Sequence, residues 1–167
     1  ALVKAQGGDL VDKVSRLLQS ERELSKKVAE LQRKILEGGA SGGGLEGMLD
    51  AAVTIDEVRC LASRLPDGTQ VGSLRELAEK LRDKLGEQSA VLLATHVEGK
   101  VAFCVMVSKA ATAKLSAGSL AKEIAKVVGG NGGGRPDMAQ GGGTQVGELD
   151  RSLTVFFDEI RKARGAN

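Results

Sequence analysis

The chain has 167 residues, of which 41% are hydrophobic and 28% charged, fractions that suit a folded, soluble protein of one domain or one small domain with an appendage. Only 2% are aromatic (three Phe, no Trp and no Tyr), which excludes a stacking platform for single-stranded bases, an aromatic cage or a membrane-interface belt. The net charge of +2 is unevenly spread: Lys100, Lys109, Lys114, Lys122, Lys126 and Arg135 face the single acid Glu123 within residues 100–136, which points either to an anionic partner or to a solvated helix face.

Residues 9–37 read as one long helix. Leu10, Leu17, Leu24 and Leu31 fill one heptad position, and Val14, Glu21, Val28 and Ile35 fill the other. That seam predicts a coiled-coil-like arm over residues 1–37, or a helical hairpin, and an oligomerisation surface built from Leu10, Val14, Leu17, Leu24, Val28, Leu31 and Ile35. Glu21 within the seam argues against a long regular zipper, and an amphipathic helix packed on its own domain is the alternative. A Gly/Ser stretch at 38–44 stops the helix and reads as a flexible linker.

The region 45–167 reads as a globular domain of mixed strands and helices. Ala51–Ile55 and Val58–Leu65 are short strand candidates, followed by a Pro66-Asp67-Gly68 turn. Ser73 and Glu76 have capping-box spacing, Leu74, Leu77, Leu81 and Leu85 follow at helical intervals, and Gly86 marks the stop. Ser89–Val97 and Val101–Ser108 predict a hairpin around Glu98-Gly99-Lys100. Leu120, Ile124, Val127 and Val128 predict a helix ended by Gly129, and a last helix starts near Thr144. The fold class is therefore α+β: a helical arm, then a mixed sheet flanked by helices.

Nine of the 23 glycines fall between Gly129 and Gly147. Without β-carbons, consecutive glycines let backbone N–H groups converge on a phosphate, and Arg135 adds a planar, permanent cation. The final helix would offer its N-terminus to the same anion. A second flexible linker is the competing reading, although Arg135, Pro136, Asp137, Met138 and Gln140 break the low-complexity pattern. No Gly-Lys-Ser/Thr follows as in a Walker loop, and the spacing and preceding helix do not fit a dinucleotide fingerprint.

The run Gly-Gly-Asn-Gly-Gly-Gly-Arg-Pro-Asp-Met-Ala-Gln-Gly-Gly at 129–142 closely resembles the signature near the C-terminus of alanyl-tRNA synthetases. Val97-Glu98-Gly99-Lys100-Val101, Val107-Ser108-Lys109 and the Leu74–Leu85 helix before the Val91–Val97 strand agree with it, and the order of elements matches along the whole chain. The resemblance implies the C-terminal domain of that family, in bacterial or organellar style, similar to the nucleic-acid-binding domain attached to DHH phosphoesterases. It implies a module without catalytic activity or cofactor that binds the outer corner of tRNA, helps aminoacylation and editing share one tRNA, and dimerises through its arm. The matching loop positions are Gly132, Gly133, Gly134, Arg135, Asp137 and Gln140. On this reading Lys109, Lys114, Lys126 and Arg135 meet phosphates or 2′-hydroxyls. A phosphate cradle does not itself read the sugar, so DNA stays open as a ligand. The family setting implies a cytoplasmic protein, or one of an organellar matrix or stroma.

The remaining residues carry less chemistry. With His96 as the single histidine, no common zinc site can be assembled, and Cys60 and Cys104 read as small buried hydrophobes in a reducing compartment. His96 reads as a core or edge histidine, and Asp137 as a loop-fixing side chain rather than a metal ligand. No run approaches the roughly 18 apolar residues of a membrane span. The chain starts at Ala1 without an initiator Met or a signal-peptide pattern and reads as an excised fragment or a processed product. Two other functions are open: a purely structural oligomerisation element, or a piece of a DHH-type phosphoesterase. The second would need an Asp-His-His centre upstream and commonly has His at the position of Arg135.

Overall fold

In a computed structural model, described here for residues 9–38 and 44–165, a six-stranded mixed sheet is covered on both faces. The chain begins with α1 (Asp9–Gly38) and α2 (Gly44–Asp50). Strands β1 (Val53–Ile55) and β2 (Val58–Arg64) then form a tight hairpin whose turn residues Asp56 and Glu57 both have positive φ, at 42° and 70°. Arg164, from the far end of the chain, fastens this turn by donating to the Asp56 carboxylate at 2.9 Å and the Asp56 carbonyl at 2.6 Å. The first strand is shorter than the sequence suggests because Ala51 and Ala52 still donate back to Gly47 and Leu49 of α2.

Helix α3 (Val71–Leu85) connects β2 to its parallel neighbour β3 (Ser89–Val97). The expected capping box does not form. The helix begins at Val71 after Gln70, without a side-chain cap, and Ser73 is already inside the first turn. Leu74 N–H donates to the Gln70 carbonyl, so the ladder starts earlier than Ser73 could start it. Gly86, at φ 99°, ends the helix as expected. Strand β4 (Lys100–Val107) pairs antiparallel with β3 across the Glu98-Gly99 turn. A 3-10 turn at Ala111–Ala113 leads to α4 (Ala117–Val127), which Ser116 caps by accepting from Ser119 N–H.

The segment read as a glycine loop is instead two strands, β5 (Gly130–Gly134) and β6 (Met138–Gly143), forming an antiparallel hairpin. The sheet order is β1-β2-β3-β4-β6-β5, which places β5 at an edge. The last helix, α5 (Leu149–Arg164), starts later than Thr144, after a 3-10 turn at Val146–Glu148.

The sheet separates two cores. On one face Leu92, Val105, Phe103 and Ala139 pack against Leu120, Ile124, Phe156 and Ile160 of α4 and α5. On the other, Leu61, Val91, Leu93 and Met106 pack against Leu74, Leu77, Leu81 and Leu85 of α3, with Leu45, Met48 and Leu49 of α2 at the margin. Leu, Val, Ile and Ala build nearly all of this core, as the scarcity of aromatics requires.

Cys60 and Cys104 are buried in different cores and free. Burial pushes their thiols up to about 12 and about 11, which keeps them unreactive. His96 stands at the end of β3, half-buried, with its Nδ1 3.4 Å from the Asp67 carboxylate.

Val14, Leu17, Leu24 and Val28 of α1 are exposed, each to about half or more of their surface, so these four side chains of the seam are not covered by the domain. The Leu10, Leu31 and Ile35 side chains lie outside the described residues, as does most of the 38–44 linker, whose last residue Gly44 opens α2. Among the described residues, no helix is long and apolar enough to cross a membrane.

Candidate nucleic-acid interface

The glycines of β5 and β6 have a packing function that the sequence does not display. Helix α4 lies directly on the hairpin. A β-carbon on Gly132 would stand 2.7 Å from the Ala121 carbonyl oxygen of α4, and one on Gly118 of α4 would stand 2.7 Å from the Gly134 carbonyl oxygen. On β6, the Phe103 ring occupies the place where a Gly141 side chain would go. Backbone therefore packs on backbone at a separation only glycine permits.

Strand alternation gives the hairpin two unlike faces. Gly132, Gly141 and Ala139 face α4 and Phe103, whereas Gly133 and its partner Gln140 face the other way, and a β-carbon on Gly133 would meet open space. Gln140 lies across from Cys104 on β4.

This arrangement corrects the expected phosphate nest. The β5 donors alternate between the ladder to β6 and the open edge, and the Gly132 N–H is taken by the Asn131 side-chain oxygen at 2.9 Å. The N–H groups are thus spread along a strand and do not converge on one point. At the N-terminus of α5, Asp150 already stands in the first turn, where it complements the helix dipole, and Arg151 pairs with Glu148 at 3.2 Å.

What the hairpin does present is its turn, Arg135-Pro136-Asp137. Two backbone bonds anchor it: Val107 N–H at the end of β4 donates to the Asp137 carbonyl at 2.9 Å, and Ala117 N–H at the start of α4 donates to the Pro136 carbonyl at 2.8 Å. Arg135 is 71% exposed, and its Nε lies 3.4 Å from the Asp137 carboxylate. The turn is held rigidly while its cation is left in solvent.

The other predicted residues fall into three places around this turn. Lys109 and Asp137 share a cleft of about 560 Å³ with Arg82, Asp83, Glu87 and Ser108, between the end of α3 and the end of β4. Lys114 lies in a different cleft, between the start of α4 and the end of α5. Lys126, near the end of α4, holds Glu123 at 2.6 Å. The structure thus joins Lys109, Arg135 and Asp137, and leaves Lys114 and Lys126 outside that group.

Arg82 is a residue that sequence reasoning missed. Its guanidinium holds Asp83 at 2.7 Å and reaches the Met106 sulfur at 4.0 Å, crossing from α3 onto β4. It belongs to the net-acidic half of the chain, and only its seven-residue spacing from Arg75 on α3 hinted at a shared basic face. Among the described residues, no group of three or more His, Cys, Asp or Glu could hold a metal.

Comparison with known proteins places the chain in a family. The profile of the DHHA1 domain family matches residues 57–162. The alanine–tRNA ligase of Sorangium cellulosum is 55% identical across 97% of this chain, which corresponds to 18% of that protein. The alanine–tRNA ligase of Pseudomonas entomophila is 43% identical across 92% of this chain and 17% of its own length. The chain thus spans less than a fifth of these relatives. Among solved structures, the C-Ala domain of Aquifex aeolicus alanyl-tRNA synthetase superposes with a TM-score of 0.58 at 28% identity, covering 62% of this chain and 92% of that one. The DHH domain of a member of a ribosomal protein family superposes with a TM-score of 0.51 at 17% identity, over 83% of this chain and 32% of that one, a likeness of fold alone.

Proposed function

Because the chain belongs to the DHHA1 domain family, we propose that it is the tRNA-binding C-terminal domain of an alanyl-tRNA synthetase, a module without catalytic groups of its own. The parent would ligate alanine to tRNA, and this domain would hold the outer corner of that tRNA so that aminoacylation and editing act on one bound molecule. On this reading the domain works where translation does, in the cytoplasm or an organellar matrix. A single observation carries the assignment of the site: the doubly anchored turn holds the Arg135 guanidinium out to solvent beside the Lys109 cleft.

A fixed, exposed guanidinium next to a lysine suits a phosphate of an RNA backbone. Gly133, without a side chain and facing open space, lets a ribose or phosphate approach the strand, while Gln140 and Asp137 border the approach. Gly132 contributes by letting α4 pack on the hairpin, and Gly134 by leaving room for Met138 and Ala139 across the turn. Lys114 and Lys126 add positive charge on the α4 side, Lys126 partly offset by Glu123. With 2% aromatics the recognition is of shape and backbone rather than stacked bases. Phosphate contacts alone do not discriminate against DNA.

The experiment is equilibrium binding of the 167-residue chain to an alanine tRNA transcript over a series of salt concentrations. Each lost phosphate contact lowers the log–log salt slope by about one, so Lys109→Gln with Arg135→Gln should lower it by about two and weaken low-salt binding roughly tenfold. An unchanged slope and affinity would reject the site.

The exposed Val14, Leu17, Leu24 and Val28 of α1 support a second role, a homodimer through the helical arm, with Leu10, Leu31 and Ile35 continuing the same heptads. Sedimentation should show a dimer that disappears when residues 1–40 are removed. A monomer in both cases excludes it.

A further inference from the structure

We propose a second RNA-backbone contact in the cleft between the start of α4 and the end of α5, so that one strand crosses from the Lys109 cleft, over the Arg135 turn, to Lys114 and Lys122. The inference rests on the tRNA-binding reading and extends it to a site on the opposite side of the turn.

The cleft holds about 540 Å³ and is lined by Thr112, Lys114, Ser116, Ser119, Lys122 and Glu159, among others. Its acids are already neutralised. Glu123 holds Lys126 and Glu159 holds Lys162, each at 2.6 Å and each one helical turn away. Lys114 and Lys122 have no ion-pair partner among the described residues, so the cleft keeps two uncompensated cations. By contrast, Arg151, Arg161, Lys162 and Arg164 of neighbouring α5 all hold a carboxylate.

Its hydroxyls are also unevenly used. Thr112 donates to the Lys109 carbonyl and Ser116 accepts from Ser119 N–H, whereas the exposed Ser119 hydroxyl makes no bond among the described residues. Ser116, Ser119 and Lys122 recur at three-residue steps along one side of α4, aligning a free hydroxyl and a free ammonium as neighbours.

The site does not depend on the helix terminus of α4. The Ala117, Ser119 and Leu120 N–H groups of the first turn are already bound, to the Pro136 carbonyl, the Ser116 hydroxyl and the Ser116 carbonyl. The Pro136 bond instead supplies the geometry: it joins the Arg135 turn to the residue following Ser116, which lines the cleft, while Asp137 of the same turn lines the first cleft. The two clefts therefore flank a single three-residue turn. A polyanion with regularly spaced phosphates fits this layout, because it meets cations in both clefts and Arg135 between them.

The test compares three variants of the whole chain in tRNA binding over a salt series, with thermal melting as a folding control. The variants are Lys114→Gln with Lys122→Gln, Lys109→Gln with Arg135→Gln, and Lys100→Gln, whose lysine stands at the opposite end of β4 from Lys109. The Lys114/Lys122 pair should lower the salt slope by about two and low-salt affinity roughly tenfold, with melting unchanged and Lys100→Gln near wild type. If that pair binds like wild type while the Lys109/Arg135 pair is weakened, the second cleft is overturned and the tRNA-binding reading stands. If neither pair changes binding, both sites fall, and if the wild-type chain itself does not bind at low salt, the tRNA-binding reading falls with them. An equal loss from Lys100→Gln would reduce the effect to overall charge and overturn the proposal.

Discussion

The two antiparallel hairpins of the sheet, β3–β4 and β5–β6, hold their places by opposite means. In β3–β4, Ala90 to Ala94 and Phe103 to Val107 are all buried, and side chains of Leu, Val and Phe fill both cores. In β5–β6, nine of the eleven strand residues are glycine, Asn or Gln, and the hairpin is retained because α4 comes close enough to touch its backbone. The first hairpin gains stability from apolar area removed from water, the second from close backbone contact that any β-carbon would spoil. The functional consequence follows: the side-chain-rich hairpin is interior, while the bare one carries the exposed Arg135 turn at the sheet margin.

Substitutions can break this contrast. The largest effect is expected in the first hairpin, where Leu92→Ala removes a fully buried side chain between β3 and the α4/α5 layer and should cost about 2–5 kcal/mol in denaturant unfolding. A smaller loss is expected within β5. Gly132→Ala sets a methyl against the Ala121 carbonyl and should cost about 1–3 kcal/mol, whereas Gly133→Ala, one residue along the same strand, meets open space and should be neutral or stabilising by up to about 1 kcal/mol. Equal effects at Gly132 and Gly133 would mean that the contact with α4 is not what holds the hairpin.

Much of the fold was legible in the chain. The β3–β4 hairpin, α3 with its Gly86 stop, and α4 with its Gly129 stop each declare themselves by periodicity and turn chemistry, because the same side chains that make the local pattern also make the core. The β5–β6 hairpin did not, since glycine has low strand propensity and leaves no alternation to read. The false capping box at Ser73 has a related cause: the motif is local, but the start of α3 was decided by where the Pro66 turn delivers the chain, with Thr69 donating to the Pro66 carbonyl. At the candidate site, Arg135 and Lys109 were visible as cations beside glycines. Arg82 was not, because it reaches the cleft from another element.

The sequence by itself determined the apolar inventory of the core, the alternation of strands and helices, the basic stretch at 100–136 and the motif that resembles alanyl-tRNA synthetases. Tertiary structure decided that the glycine run is a strand pair, that its N–H groups do not form a nest, and that the basic residues divide between two clefts. The physical reason is that a side chain announces its own burial through pattern, whereas a glycine reveals its purpose only when a neighbour arrives where the side chain would have been.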